Sequence, residues 1–287
     1  MNNRSVFLAI TAALALFSCS REQSPPKTAE SLVASIESIL DEDGGETRTT
    51  FAGYDEGTFY WSAGDQVAVH YSSGYAVGTA ESAARESKIS FATAPSGTRN
   101  YYAVYPAASA VEGNYGNKTL QVTLPDTYDL SAQLSGTQSK DYAPCPMIAV
   151  NDASSGKLTF RHVGGLVRIH LGGKSFENVE YFSVDFGKDV TGTYNVSGHS
   201  TGNPKIQTAG SASKNAVRFK SGSSTFNSTG NEVLNVPVPC GTYEQVTVRV
   251  LISDGAVYET VISKPVVISR SHGKKLSLKN QKWSAVI

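Results

Sequence analysis

The 287-residue sequence predicts an all-β fold of the β-sandwich type. Three observations carry that prediction. Short apolar runs with two-residue alternation recur along the chain, no long capped helical pattern appears after residue 45, and Gly, Pro and Asn turn chemistry separates the runs. Composition agrees, because 26 glycines and 14 tyrosines accompany a charged fraction of only 17%, a balance that suits a secreted, loop-rich β protein. The 25 basic residues offset 25 acidic ones and neither sign is concentrated, which argues against a nucleic-acid partner.

The N-terminus reads as an export signal. Arg4 supplies the positive region, residues 6–17 form an apolar run, and Ser18 is a small residue before Cys19. A cysteine directly after Leu16-Phe17-Ser18 resembles the bacterial lipobox, in which cleavage falls before a cysteine made into a diacylglyceryl thioether. The run is short for a membrane-spanning helix, so the expectation is a signal peptide over 1–18 and lipidation at Cys19. Residues 20–30 are polar and contain Pro25-Pro26, fitting a tether. The next segment, residues 31–40, fits two periods. Leu32, Ile36, Ile39 and Leu40 make a helical stripe, while Leu32, Ala34, Ile36 and Leu40 alternate as in a strand. The acidic, glycine-bearing stretch 41–45 is a loop under either reading.

From Thr47 onward the pattern is strand after strand. Residues 66–71 alternate Val67, Val69 and Tyr71 against Gln66, Ala68 and His70, which places His70 on a surface or rim. Residues 101–105 and 119–124 behave similarly, each ended by a proline that cannot donate to a ladder. Further strands are expected at 158–160, 166–171, 179–186, 232–236, 245–252, 257–262 and 275–278. Val246, Val248, Val250 and Ile252 form the cleanest one-sided strand. Residues 209–231 read as a long loop carrying one short strand at 216–219. The turn-rich segment 151–156 divides the chain into two units, 49–155 and 156–287, after a tether and propeptide at 19–48.

Catalytic and metal-binding signatures do not assemble, so the expectation is a protein without enzymatic activity, cofactor or metal. The five histidines show no ligand spacing, and His170, like His70, falls on a polar strand phase. His162 reads as a packed or hydrogen-bonded strand residue. Gly172-Gly-Lys-Ser175 imitates the tail of a phosphate-binding loop, but Arg168 stands where its first glycine belongs, leaving a hairpin turn as the better reading. Ser211-Ala-Ser-Lys214 has a serine–lysine catalytic spacing inside the loop-rich stretch. Cys145 and Cys240 read as two free thiols, with a disulfide between them as the other reading.

One set of motifs resembles a known family. Thr47-Arg-Thr-Thr-Phe51, a spacer, then Phe59-Tyr-Trp-Ser-Ala-Gly-Asp-Gln-Val-Ala-Val69 resembles the opening of fimbrillins, the Mfa-like subunits of type V pili. Tyr102-Ala-Val-Tyr-Pro106, Leu124-Pro125, Pro146-Met147-Ile-Ala149, Leu158-Thr-Phe-Arg-His162, Val267-Ile-Ser-Arg270 and Lys275-Leu-Ser-Leu278 follow in the family's order. The segment after Leu124-Pro125 departs from the family pattern, with Asp126-Thr-Tyr-Asp129 where a glutamine is usual. Physical chemistry alone gives the Trp61, Gly64 and Asp65 cluster a structural role. Gly64-Asp65 can make a tight turn whose carboxylate accepts local amides, and Trp61 can cover the end of the core.

The resemblance implies two tandem transthyretin-like, Greek-key β-sandwich domains and a lipoprotein delivered to the outer membrane. It implies an arginine-specific cut after Arg48, leaving Thr49 as the new N-terminus and removing the lipid together with residues 31–40, which on this reading are the first strand. A donor strand from another pilus subunit would then fill the groove, so the implied partners are other subunits, the outer membrane through the precursor's anchor, and a host or bacterial surface receptor. The short stretch 279–287 leaves little room for a donor segment, which leans toward a tip or accessory subunit of the fimbrium. A plain surface arginine is the other reading of Arg48. The alternative function is a lipid-anchored module that binds glycans through its tyrosines without polymerising.

Overall fold

The computed structural model describes residues 32–37, 61–71, 74–93, 102–111, 120–130, 145–150, 157–198, 203–208, 213–222 and 224–286. Among them one short 3-10 turn (Ala107–Ser109) is the exception to an all-strand architecture. Seven strands form the N-terminal body: β1 (Leu32–Ile36), β2 (Gln66–Tyr71), β3 (Gly74–Ala80), β4 (Glu86–Phe91), β5 (Tyr102–Tyr105), β8 (Met147–Val150) and β9 (Lys157–His162). They close into a barrel in the order β1, β4, β3, β2, β5, β8, β9. Every pairing around it is antiparallel except the last, where β1 runs parallel to β9 and shuts the ring.

The two-period ambiguity of residues 31–40 resolves as strand over β1. Leu32, Ala34 and Ile36 point into the barrel while Val33 and Ser35 face outward. The helical stripe would need Ile39 and Leu40, which lie outside the described residues. Inside the barrel these three side chains meet Trp61, Ile89, Leu158 and Phe160.

Between β5 and β8 the chain leaves the barrel. It forms β6 (Leu120–Leu124), which pairs with β12 (Gly192–Ser197) beside β13 (Lys205–Thr208). It then forms β7 (Thr127–Asp129), which pairs in parallel with β14 (Ala216–Lys220). The strands therefore straddle the expected break at 151–156, since β9 lies beyond it and belongs to the barrel.

The C-terminal body has two facing layers. One contains β10 (Gly165–His170), β16 (Val233–Val238) and β21 (Gly273–Ser277). The other is a seven-stranded sheet that joins β7 and β14 to β11 (Phe176–Asp185), β15 (Phe226–Ser228), β18 (Val246–Ile252), β19 (Val257–Ile262) and β22 (Ser284–Val286). A two-stranded ribbon of β17 (Gly241–Tyr243) and β20 (Val266–Ile268) completes it. Val167 and Ile169 of the first layer, with Phe182, Val184, Val248 and Val250 of the second, share one core. Alternation delivers these residues to the inner faces, as in any two-layer sheet packing.

Three expectations change. His70 is buried at 3% exposure, because the outer face of β2 is covered as well. Ala68 on that face packs with Val104, Ile148 and, across the gap, Val122 of β6. The Gly172-Gly173 turn joins β10 and β11, which belong to different sheets, so it crosses between layers and is no hairpin. A Cβ on Gly172 would fall 2.2 Å from the Lys279 backbone nitrogen, and its φ of +77° is left-handed; glycine answers both demands. The loop-rich stretch 209–231 carries β15 in addition to β14.

Candidate functional site

β1 and the residues that hold it form the most distinctive site. Four residues of β1 are in register with β4, from Leu32 opposite Ile89 to Ser35 opposite Glu86. Four are in register with β9, from Val33 opposite Lys157 to Ile36 opposite Phe160. The Glu86 and Lys157 side chains form an ion pair, linking the two strands that flank β1. Both ends are solvent-exposed, so this strap contributes about 1 kcal/mol or less.

Trp61 anchors β1 from inside. Its indole Nε1–H donates to the Ala34 carbonyl at 3.0 Å. The ring stands edge-on to Tyr105 and Phe160, with centroids 5.2 and 5.0 Å away. At 1% exposure it is a core residue, and the small Ala34 leaves room for it. Gly64 and Asp65 form the turn that precedes β2. Gly64 has φ +96°, and the Asp65 Oδ2 accepts the Ser62 amide at 2.7 Å. Gly64 and Asp65 also exchange backbone bonds with Ala80 at the end of β3, which fixes Trp61 relative to the barrel wall.

The far end of β1 closes on a carboxylate. Glu37 donates its amide to the Phe160 carbonyl at 3.0 Å. Its side-chain Oε1 accepts three bonds, from the His162 amide at 2.5 Å, Arg270 Nη1 at 2.5 Å and Ser271 Oγ at 2.7 Å. Arg270 Nη1 also donates to Ser271 Oγ at 2.9 Å. Ser271 adopts φ +57°, and its amide bonds the Gly164 carbonyl, so the cradle is rooted in the C-terminal body. Glu37 and Arg270 are both largely shielded, with side chains 19% and 25% exposed. Beside them the buried His162 imidazole is pulled down to about 4 by burial, with Glu37 opposing and Arg270 reinforcing the shift.

Of the residues singled out from sequence, the structure sets Trp61 against β1 and places Gly64 and Asp65 in the turn that follows Trp61, bonded to Ser62 and Ala80. Cys19, Arg48 and Thr49 lie outside the described residues. Glu37 and Ser271 carried no recognisable signal, and Arg270 stood out only as the end of the Val267–Arg270 run, because the pairing joins positions 233 and 234 residues apart. Of the serine–lysine spacing, Ser211 lies outside the described residues, while Lys214 pairs with Asp126 and the intervening Ser213 donates to Asp189 at 2.5 Å. Cys145 is buried and Cys240 exposed, both as free thiols. Tyr128 is stacked on Phe219 in the C-terminal core, which removes it from any sugar-stacking surface. Among the described residues no group of three His, Cys, Asp or Glu side chains is placed to hold a metal ion.

No family model matches the chain, and no curated protein matches it. Several solved structures are similar to it. A candidate cell adhesion protein from Bacteroides ovatus shares 11% identity over 90% of this chain and 95% of its own, with a TM-score of 0.49. A candidate cell adhesion protein from Bacteroides thetaiotaomicron shares 12% identity over 86% and 92%, with a TM-score of 0.37. A fimbrial protein from Bacteroides ovatus shares 12% identity over 87% of this chain and 49% of its own, with a TM-score of 0.33.

Proposed function

We propose that the chain is a subunit of a cell-surface type V pilus, made as an outer-membrane lipoprotein and assembled by strand exchange. On this reading it has no enzymatic role, and its two bodies are tandem transthyretin-like domains. The observation that carries the reading is the position of β1. It closes the barrel, yet its covalent link to the barrel's other strands runs through residues 38–60, and Arg48 lies within them. One cut there turns β1 from part of the chain into a bound ligand, and the lipid at Cys19 leaves with it.

The energetics fit exchange better than simple loss. Leu32 and Ile36 bury their side chains fully enough to be worth about 2–3 kcal/mol each, and the groove without β1 would expose two unpaired edges on β4 and β9. A groove of that kind is refilled by strand addition, with backbone pairing on both edges and alternate side chains in the core. The same reasoning supports other pilus subunits as partners and the fimbrium as the final location.

Intact mass and N-terminal sequencing of the protein from its native cell surface test this reading. A mature form beginning at Thr49 is expected. A form that begins at a lipidated Cys19 and stays tethered overturns release and strand exchange at this chain, in favour of an anchor subunit or an anchored glycan-binding module.

A further inference from the structure

We infer that Arg270, Ser271 and the His162 amide form a carboxylate receptor that selects the strand entering the groove. This rests on the strand-exchange reading and adds the chemistry of the partner. The accepted segment is an extended strand of a second polypeptide with the pattern apolar, any, small, any, apolar, acidic, running parallel to β9.

Each position of that pattern follows from a contact made by β1. The apolar ends occupy the places of Leu32 and Ile36 in the barrel core. The small residue stands where Ala34 lies fully buried beneath Trp61. A larger side chain there would be forced against a ring already packed on both sides. Trp61 reads the backbone carbonyl at that position, so its hydrogen bond constrains placement and not side-chain identity. The acidic residue follows directly after the last inward apolar position, where Glu37 takes its three bonds.

The receptor also sets register. A slip of one residue would turn every apolar side chain out of the barrel. A slip of two would restore the alternation but carry the carboxylate away from Arg270. That would leave a shielded guanidinium without its counter-charge, which is costly. Alternation alone distinguishes odd from even slips; the small site beneath Trp61 and the Arg270 cradle together distinguish the even slips from one another.

The test uses the full-length protein cut after Arg48 by an arginine-specific protease. The cut protein is challenged with fluorescent peptides of residues 31–40, either native or carrying Glu37→Gln. Expected is displacement of the resident fragment by the native peptide at least tenfold more tightly than by the E37Q peptide. The preference should vanish when the same pair is offered to the Arg270→Met protein. Equal incorporation of both peptides by the wild-type protein overturns the receptor while leaving strand exchange intact, as does a preference that survives in R270M. If neither peptide displaces the fragment, the exchange reading itself fails and takes the receptor with it. Because the decisive comparison changes only the peptide, it does not depend on how well R270M folds.

Discussion

Replacing Trp61 by phenylalanine isolates what holds the first strand from inside. Two losses can be counted. The buried hydrogen bond to the Ala34 carbonyl disappears, at about 1 kcal/mol. The smaller ring leaves about 40 Å³ of unfilled space, which at about 24 cal/mol per Å³ adds another ~1 kcal/mol. Weakened edge-on contacts with Tyr105 and Phe160 bring the expected loss to about 2–3 kcal/mol. Urea unfolding of W61F beside the wild type measures the total. Amide exchange over residues 32–37 locates it, and protection there should fall by about 30- to 150-fold. A stability change under 0.5 kcal/mol, or lost protection spread evenly over both bodies, would refute the claim that Trp61 acts on β1.

Two further outcomes are expected. The His162 imidazole sits near 4 in the folded protein against about 6.5 when unfolded. The unfolded chain therefore takes up the proton first, so stability is full above pH 6.5 and is lost as pH falls toward 4. The loss reaches about 2 kcal/mol by pH 5; His170, also lowered to about 4, acts in the same direction. Urea titrations at pH 7 and pH 5 should show a shallower dependence in His162→Gln, and an unchanged one would exclude His162 as the source. For the thiols, burial pushes Cys145 up to about 12, whereas Cys240 is exposed and only raised by partial burial. Alkylation of the native protein at pH 8, read by peptide mass mapping, should label Cys240 at least about a hundredfold faster; comparable rates would contradict the buried placement.

The parts of the fold legible in the sequence are those where one face of a strand meets the core. β18 is the plainest case, with Val246, Val248 and Val250 all inward. β2 is the contrasting case. Its alternation located the strand, but His70 and Ala68 are buried too, because β6 covers the outside of the barrel. Periodicity reports which residues share a face and cannot report what that face meets. β11 begins three residues before its alternation does, because register shifts around Asn178, at φ +51°, interrupt the pattern. Strands of three residues such as β7, β15 and β20 are shorter than any period can reveal. At the candidate site, the turn chemistry of Gly64-Asp65 and the aromatic bulk of Trp61 were readable locally. The Glu37 cradle was not, since its partners converge only after the chain has folded.

The excursion of β6 and β7 has a mechanical consequence. Besides the short link 163–164 between β9 and β10, the barrel's chain is joined to the C-terminal body by backbone pairing. Five residue pairs tie β6 to β12 and three tie β7 to β14. That seam adds its backbone pairing to the cost of separating the two bodies, so they hold together more firmly than sandwiches joined by a linker alone.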